Sequence, residues 1–469
     1  MLPVNNRGRE HGRLPAIQSI FLSTSTFVAA ALIAAGPSAA QTATPPSQTT
    51  TPQGQATQGQ GNLPPINVSG KRATQRGKVK KPQTQAAAPS APNPAPTQPI
   101  NLAGVPMTPL NTVATSASRL GLPVIETPAS VDIVTQQTMQ EEGYRTTTDT
   151  AQGAVGVLSG DSAGAPANFS MRGFSFSEVN VLYNGIWTGP SDITARWMGT
   201  ANLEQVEFLK GPSSLMSGMS AIGGSVNYVS RQPTTGPIQN EADVSFDSLG
   251  SIVSHYGSGG STPVQGLDYR FDIAGSQLDS FIDGDYRDLT DLSGQLNYHV
   301  SNNFMVFGAI EYKKDSGHAY WGTPLVPTAF AGSHAVSGVV SGNAFSTFSG
   351  DNLGPITIDS QTLTTNYNVA DNATGAQELW LRTGFEWTPL NNVTIKDQVY
   401  YWRAKANWID SETYAFDDGA EFMPNVIDRD RFFVTHDQQM IGNNADLTWD
   451  SQLLGFDNRF AAQLQASRN

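Results

Sequence analysis

With 469 residues, a net charge of −13 and no cysteine, the chain is long enough for two or three domains. It excludes disulfide frameworks, zinc ribbons and cysteine nucleophiles. The acid lies late in the chain: residues 41–110 hold no Asp or Glu, while Lys71, Arg72, Arg76, Lys78, Lys80 and Lys81 cluster there. A folded part without a basic face is a poor match to a phosphate backbone, so nucleic acid is not expected as a partner. The six histidines are scattered with no His-x-x-x-His pair, and no metal site is expected.

In chain order, residues 1–40 read as a signal peptide. Arg7, Arg9 and Arg13 precede an apolar run at Phe27–Ala35 and small residues at Ser38–Ala40, the charged, apolar, small-residue order of an export signal. The run is short of the ~20 residues a spanning helix needs. Residues 41–117 read as a disordered linker, Gln/Thr/Pro/Ala-rich and too poor in apolar residues to offset the entropy of ordering. One island interrupts it. Ile66 and Val68 alternate with Asn67 and Ser69 before Gly70, an extended piece able to add to a partner's sheet edge. On spacing alone, two β-branched residues of no consequence fit equally well.

Residues 118–235 have the texture of an α+β domain. Ser130–Val134 reads as a strand, and Thr135 caps a helix through about Glu142, which Gly143 stops. Further strands are expected at Ser170–Phe174, Val179–Asn184, Val206–Lys210 and Ser225–Val229. Two motifs invite catalysis or phosphate binding, and both lack their context. Gly160-Asp161-Ser162-Ala163-Gly164 matches a nucleophile elbow, but Ala165–Asn168 is a poor start for the helix that must follow. Lys210 precedes its glycines, and Pro212 follows at once, so no phosphate loop forms. A serine hydrolase is the weaker reading.

Residues 236–469 change to long alternating strands. Tyr269, Phe271 and Ile273 alternate with Arg270, Asp272 and Ala274, and Leu296, Tyr298 and Val300 with Gln295, Asn297 and His299. The same texture recurs at Phe456–Leu464, with further segments beginning near Phe304, Leu379, Val393 and Ile441. Strands of about ten residues with one apolar and one polar face are the signature of a membrane β-barrel. Val300 to Phe304 is a short turn and Asp315–Ala376 a very long loop.

Taken together, Arg172-Gly173-Phe174, Val181-Leu182-Tyr183-Asn184-Gly185, Val206-Glu207-Phe208-Leu209-Lys210-Gly211-Pro212, Gly223-Gly224-Ser225-Val226-Asn227 and Arg231-Gln232-Pro233 resemble the plug domain of TonB-dependent outer-membrane receptors, of the ferric-siderophore type. The resemblance implies an α+β plug domain followed by antiparallel transmembrane β-barrel strands. It also implies a ferric siderophore as transported ligand, no covalently bound cofactor and no enzymatic activity. The implied partners are TonB with its inner-membrane energising complex, and outer-membrane lipid.

By the same resemblance, Ile66, Asn67, Val68, Ser69 and Gly70 are the TonB-interacting segment. Arg172 and Lys210 lock the plug to barrel-wall glutamates. Phe174, Phe176, Glu178, Trp187, Arg196 and Trp197 are ligand contacts on the plug, joined by Tyr320 and Trp321 at the start of the long loop. A cobalamin or carbohydrate ligand, or a non-transporting adhesin, are the other readings. Eight to ten strands enclose too little space for a plug, so the barrel is expected to be incomplete and the chain to be the N-terminal part of a longer receptor, without the glutamates that would meet Arg172 and Lys210.

Overall fold

The computed structural model describes residues 110–161, 167–212, 221–338, 342–345, 352–418 and 424–469. The expected signal peptide, the segment Ile66–Gly70 and Ser162 lie outside the described residues.

The first domain is organised by caps and tight turns. Strand β1 (Ser130–Thr135) runs into α1 (Gln136–Glu142), where the Thr135 hydroxyl accepts from the Thr138 amide at 3.2 Å and Gly143 ends the helix at φ 72°. This is an N-cap and a left-handed C-cap, both legible in the sequence. Strands β2 (Val157–Gly160), β3 (Asn168–Met171) and β4 (Phe174–Ser175) form a small antiparallel sheet. The continuous strand expected at Ser170–Phe174 is broken because Arg172 and Gly173 take φ of 53° and 87°. Two successive positive-φ residues make a two-residue hairpin, whose twist suits the flanking strands. β2 pairs with β3, Gly160 opposite Asn168, so the described residues that follow the Gly160–Gly164 motif form a strand and not the helix an elbow requires.

A second such turn, Asn184-Gly185 with φ of 50° and 77°, joins β5 (Val179–Tyr183) to β6 (Ile186–Trp187). After the single turn α2 (Ser191–Thr194) come β7 (Leu203–Lys210) and β8 (Gly224–Ser230), giving a sheet of order β1-β7-β8-β5-β6. Phe169, Leu203, Val206, Phe208 and Val226 fill its core, with Phe169 and Phe208 edge to face at 6.0 Å.

Residues 110–117 fall within the segment expected to be disordered, yet they are ordered. Val124 donates to the Thr112 carbonyl and Ile125 to that of Leu110, each at 3.0 Å. Ala114 packs with Val131, Ile133 and Leu209. These residues begin a strap, 110–126, laid across one face of the sheet, over β1, β7 and β8.

The second region is one antiparallel meander. Strands β9 (Gln239–Phe246), β10 (Ile252–Ser261), β11 (Leu267–Asp279), β12 (Tyr286–Ser301) and β13 (Phe304–His318) pair in succession. The long loop then carries β14 (Val326–Pro327), β15 (Asn343–Phe345) and β16 (Asn352–Thr357). The wall resumes with β17 (Ala373–Leu390) and β18 (Val393–Asp410), and a loop hairpin of β19 (Tyr414–Asp418) and β20 (Pro424–Arg429) leads to β21 (Phe432–Leu453) and β22 (Phe456–Arg468). Nine strands form the wall, with β9 and β22 at its two edges, so the barrel does not close. Strands β9 and β10 were not anticipated. The glycines at 257, 259 and 260 leave β10 without the aromatic alternation that marks its neighbours.

Side-chain parity divides the wall. Phe271, Ile273, Leu296, Ile310, Leu381, Val399 and Ile441 point outward and are 39–56% exposed. Asp272, Asp291, Glu311, Asp315 and Arg382 point inward and are buried. Turns at one end are as short as residues 302–303, 391–392 and 454–455, while the other end carries loops 319–372 and 411–431. That asymmetry is the membrane-barrel pattern.

One glycine is under direct steric constraint. At Gly224 (φ 149°) a Cβ would overlap the Leu209 carbonyl oxygen and approach the Met171 sulfur. Gly224→Ala is expected to destabilise the domain by about 2 kcal/mol or more, because an overpacked, positive-φ site forces the backbone to shift. The denaturant midpoint of the protein in detergent, followed by tryptophan fluorescence, checks this; an unchanged midpoint refutes it.

Candidate functional site

The first domain lies against the inner face of the wall, and polar contacts at three levels join them. Near the long-loop end, Arg196 meets Asp315 at 2.5 Å (Nη2–Oδ1) and 3.2 Å (Nε–Oδ2), and Nη2 also donates to Thr374 Oγ1 at 3.0 Å. Trp197 is packed with Leu289, Ala319, Leu278 and Trp321, under the Arg287 guanidinium at 4.8 Å. Arg287 in turn pairs with Asp161 at 2.5 Å.

Midway, Glu311 is 3% exposed. It accepts from the Tyr183 hydroxyl, from Ser230 Oγ at 3.2 Å and from Arg382 Nη2 at 2.5 Å. The Lys313 ammonium sits 3.2 Å from the Tyr183 ring centroid. Burial, reinforced by the Glu311 charge, pushes the Tyr183 phenol well above its ordinary range, so Tyr183 acts as a donor.

At the third level Arg231 reaches Asp272 at 3.2 Å and Glu241. Arg270 Nε donates to Asp272 at 2.7 Å, and His255 Nε2 lies 3.0 Å from the same carboxylate. Glu241, His255 and Asp272 cluster closely enough to suggest a metal centre. Two guanidiniums occupy the carboxylate lone pairs a cation would need, so the group is an ion-pair network. Between the polar levels, Trp380, Tyr400 and Trp402 are buried in one cluster with the core of the first domain, Trp380 at 5.3 Å from Tyr183.

Neither Lys210 nor Arg172 meets a wall glutamate among the described residues. Lys210 pairs with Asp132 at 2.6 Å and donates to the Val155 carbonyl at 3.0 Å, both within its own domain. The register explains this: Asp132 is opposite Phe208, hence diagonal to Lys210 and within reach across the strands. Arg172 has no ion-pair partner among the described residues; its guanidinium lies against Gly211. Among the described residues, Tyr183, Arg196, Ser230 and Arg231 make polar contacts from the plug to the wall. Arg196 and Trp197 are also displaced from the ligand list, being 7% and 3% exposed against the wall.

The remaining candidates divide. Phe176 is 50% exposed at the apex of the domain. Phe174 packs on the core. Glu178 folds back onto the Ser175 amide at 3.3 Å in a capping box. Trp187 and Tyr320 are half-buried, and Trp321 backs Trp197. Loops 319–372 and 411–431 dock on each other through Val326, Ala331 and Phe416. Arg429 donates to the Tyr367 and Asn368 carbonyls, each at 2.7 Å. Inward charge parity on β11–β13 and β17 was the available signal for Asp272, Glu311, Asp315 and Arg382.

Residues 123–225 match the model of the TonB-dependent receptor plug domain. Over that segment the chain is similar to a TonB-dependent receptor plug domain. The Ferrioxamine B receptor of Salmonella typhimurium (strain SL1344) is 33% identical over 136 residues, 26% of this chain and 18% of that protein. The Ferripyoverdine receptor of Pseudomonas aeruginosa is 34% identical over 132 residues, 26% of this chain and 15% of that one. The ferric-catecholate import receptor Fiu of E. coli K12 superposes with a TM-score of 0.60 at 20% identity, over 77% of this chain and 53% of Fiu. The ferripyoverdine receptor, solved with ferripyoverdine bound, gives 0.59 at 21% identity, over 76% and 44%. The fold is therefore that of these receptors, plug and wall together, and the chain spans about half their length or less.

Breaking the pair at the middle level should be costly. Arg382→Ala leaves Glu311 buried without its cation and is expected to destabilise by about 3–5 kcal/mol. A Glu311→Gln/Arg382→Met double substitution should lose less than the sum of its singles. A double-mutant cycle on denaturant midpoints measures this, and strictly additive losses would show that the two groups do not act as a pair.

Proposed function

We propose that this chain is the plug-bearing part of an outer-membrane receptor that binds a ferric siderophore and passes it inward under TonB drive. The observation that carries the reading is a plug held against the charged inner face of an open antiparallel wall by polar contacts that a rearrangement can exchange for water. The relatives' names, ferrioxamine B, ferripyoverdine and catecholate receptors, support the ligand class.

In this reading the ligand meets the plug at Phe176, the apex residue left open, with Tyr320 and the docked loops at one side. An exposed ring offers apolar contact to the organic body of a chelate. The segment Ile66–Gly70 is taken by TonB through strand addition, which relies on backbone hydrogen bonds. No bond of the ligand is made or broken. The export signal at residues 1–40 and insertion among outer-membrane lipids belong to the same proposal.

Binding of a panel of ferric chelates, each beside its iron-free form, to the full-length receptor tests the ligand class; failure to bind any of them overturns it. Phe176→Ala is expected to weaken binding about tenfold while folded protein is unchanged, the loss of a single aromatic anchor. Trp197→Ala should lower the amount of folded receptor instead, since it empties a packed site. Reversal of the two outcomes would return Trp197 to the ligand surface. Ile66→Pro is expected to abolish uptake and spare binding, because proline removes a donor from the added strand; unchanged uptake would place the TonB contact elsewhere.

A further inference from the structure

Glu207 is fully buried in the middle of β7, and among the described residues no lysine, arginine or histidine pairs with it. Its charge is met by neutral donors alone. From the strap, the Thr115 amide donates to Oε1 at 2.9 Å, the Thr115 hydroxyl to the same oxygen at 3.1 Å, and the Ser116 amide to Oε2 at 2.8 Å. From the sheet, Gln205 Nε2 reaches Oε1 at 2.7 Å and Asn227 Nδ2 reaches Oε2 at 3.0 Å. The two amides also hold the strap themselves, Gln205 on the Val113 carbonyl at 3.1 Å and Asn227 on Thr115 Oγ1 at 3.2 Å.

Elsewhere the strap is held by its own backbone hydrogen bonds to Thr112 and Leu110 and by Ala114 against Val131, Ile133 and Leu209. Its deeply buried side chains from 112 to 116 are Thr112, Ala114 and Ser116, too small to contribute much apolar burial. β1, which follows the strap, is the edge strand of the plug sheet.

We propose that Glu207 is a latch for residues 112–116, and that their withdrawal from it is the first structural step of plug opening. This rests on the transport reading above, in which tension enters through the chain preceding Leu110. A buried carboxylate held by backbone amides is stable only while every donor is in place. Drawing out Thr115 and Ser116 removes three donors at once and leaves Glu207 with Gln205 and Asn227. The loss converts a local tug into a destabilised β7–β8 centre, on a strand that ends at Ser230 with Arg231 just beyond it. A purely apolar strap would release gradually; a shared carboxylate releases as a unit.

The 469 residues contain no cysteine, so Ser116→Cys supplies a reporter thiol. Ser116 is 1% exposed and its hydroxyl has no partner, so the change costs no hydrogen bond. In the full receptor in outer membranes, a maleimide should label this thiol slowly at rest and faster during energised uptake of a ferric chelate. Glu207→Gln, whose amide NH2 opposes the incoming N–H groups, should speed resting labelling about tenfold or more, the effect of losing a charge-assisted hydrogen bond. Ferric-chelate binding serves as the check that it has folded. If Glu207→Gln does not fold, Thr115→Val, which deletes only the hydroxyl contacts, should move resting labelling the same way by a smaller factor. Equal resting labelling with and without the substitution, or protection that persists while uptake proceeds, overturns the latch. Absence of uptake by the otherwise native receptor is the failure of the transport reading, and the resting comparison still decides the latch.

Discussion

A carboxylate on the inner face of the wall, Glu311, has its lone pairs filled by a tyrosine and a serine of the plug and by an arginine on the adjacent wall strand. The rest of the structure depends on this arrangement. A wall whose inner positions carry Asp272, Asp291, Glu311, Asp315 and Arg382 cannot pack against an apolar domain without leaving charges uncompensated, which is far costlier than the contact is worth. The plug therefore presents donors at the levels where the wall presents acids. Arg196 is at Asp315, Tyr183 and Ser230 are at Glu311, and Arg231 is at Asp272. Position along the barrel axis is set by charge matching, and a slip of one residue on a wall strand would turn that strand's inward groups outward.

The wall pattern was legible because strand parity is a strict two-residue period. Phe304 and Val393 start their strands where the alternation begins, and the outward apolar set on β11 and β12 is the one read from the sequence. The caps of α1 were legible for an equally local reason: Thr135 and Gly143 act within one turn of themselves. Asn184-Gly185 was a hairpin signal in plain view, and Arg172-Gly173 a hidden one, since arginine is an unusual occupant of a positive-φ position.

What could not be read is whatever depends on a partner distant in sequence. Trp197 and Arg196 have the composition of a ligand surface, an aromatic ring beside a guanidinium, and the same composition serves to bury a plug loop against Leu289 and Asp315. Residue type does not separate the two; only the position of β12 and β13 does. Lys210 was assigned to the wall by resemblance. Its partner follows from the β1–β7 register, which a single sequence does not specify. The ordering of residues 110–117 was hidden for a related reason. Their composition is that of a linker, and what orders them is a carboxylate about ninety positions further on. Low apolar content argues against self-sufficient folding, not against being held by a neighbour.

The seam combines two kinds of adhesion with different consequences for movement. Trp380, Tyr400 and Trp402 press on the plug core, and this contact is non-directional: a small sliding of the plug costs little as long as the rings stay covered. The polar contacts are directional and short, and they fail within an ångström or so of displacement. When they fail, both partners can be rehydrated, provided water reaches them; the rings gain nothing from water. A plug displaced against this wall would therefore give up its register at Glu311, Asp315 and Asp272 before it lost its hold on the aromatic cluster. That order would leave the domain resting on the aromatic face at β17–β18 after the polar seam at β11–β13 had let go.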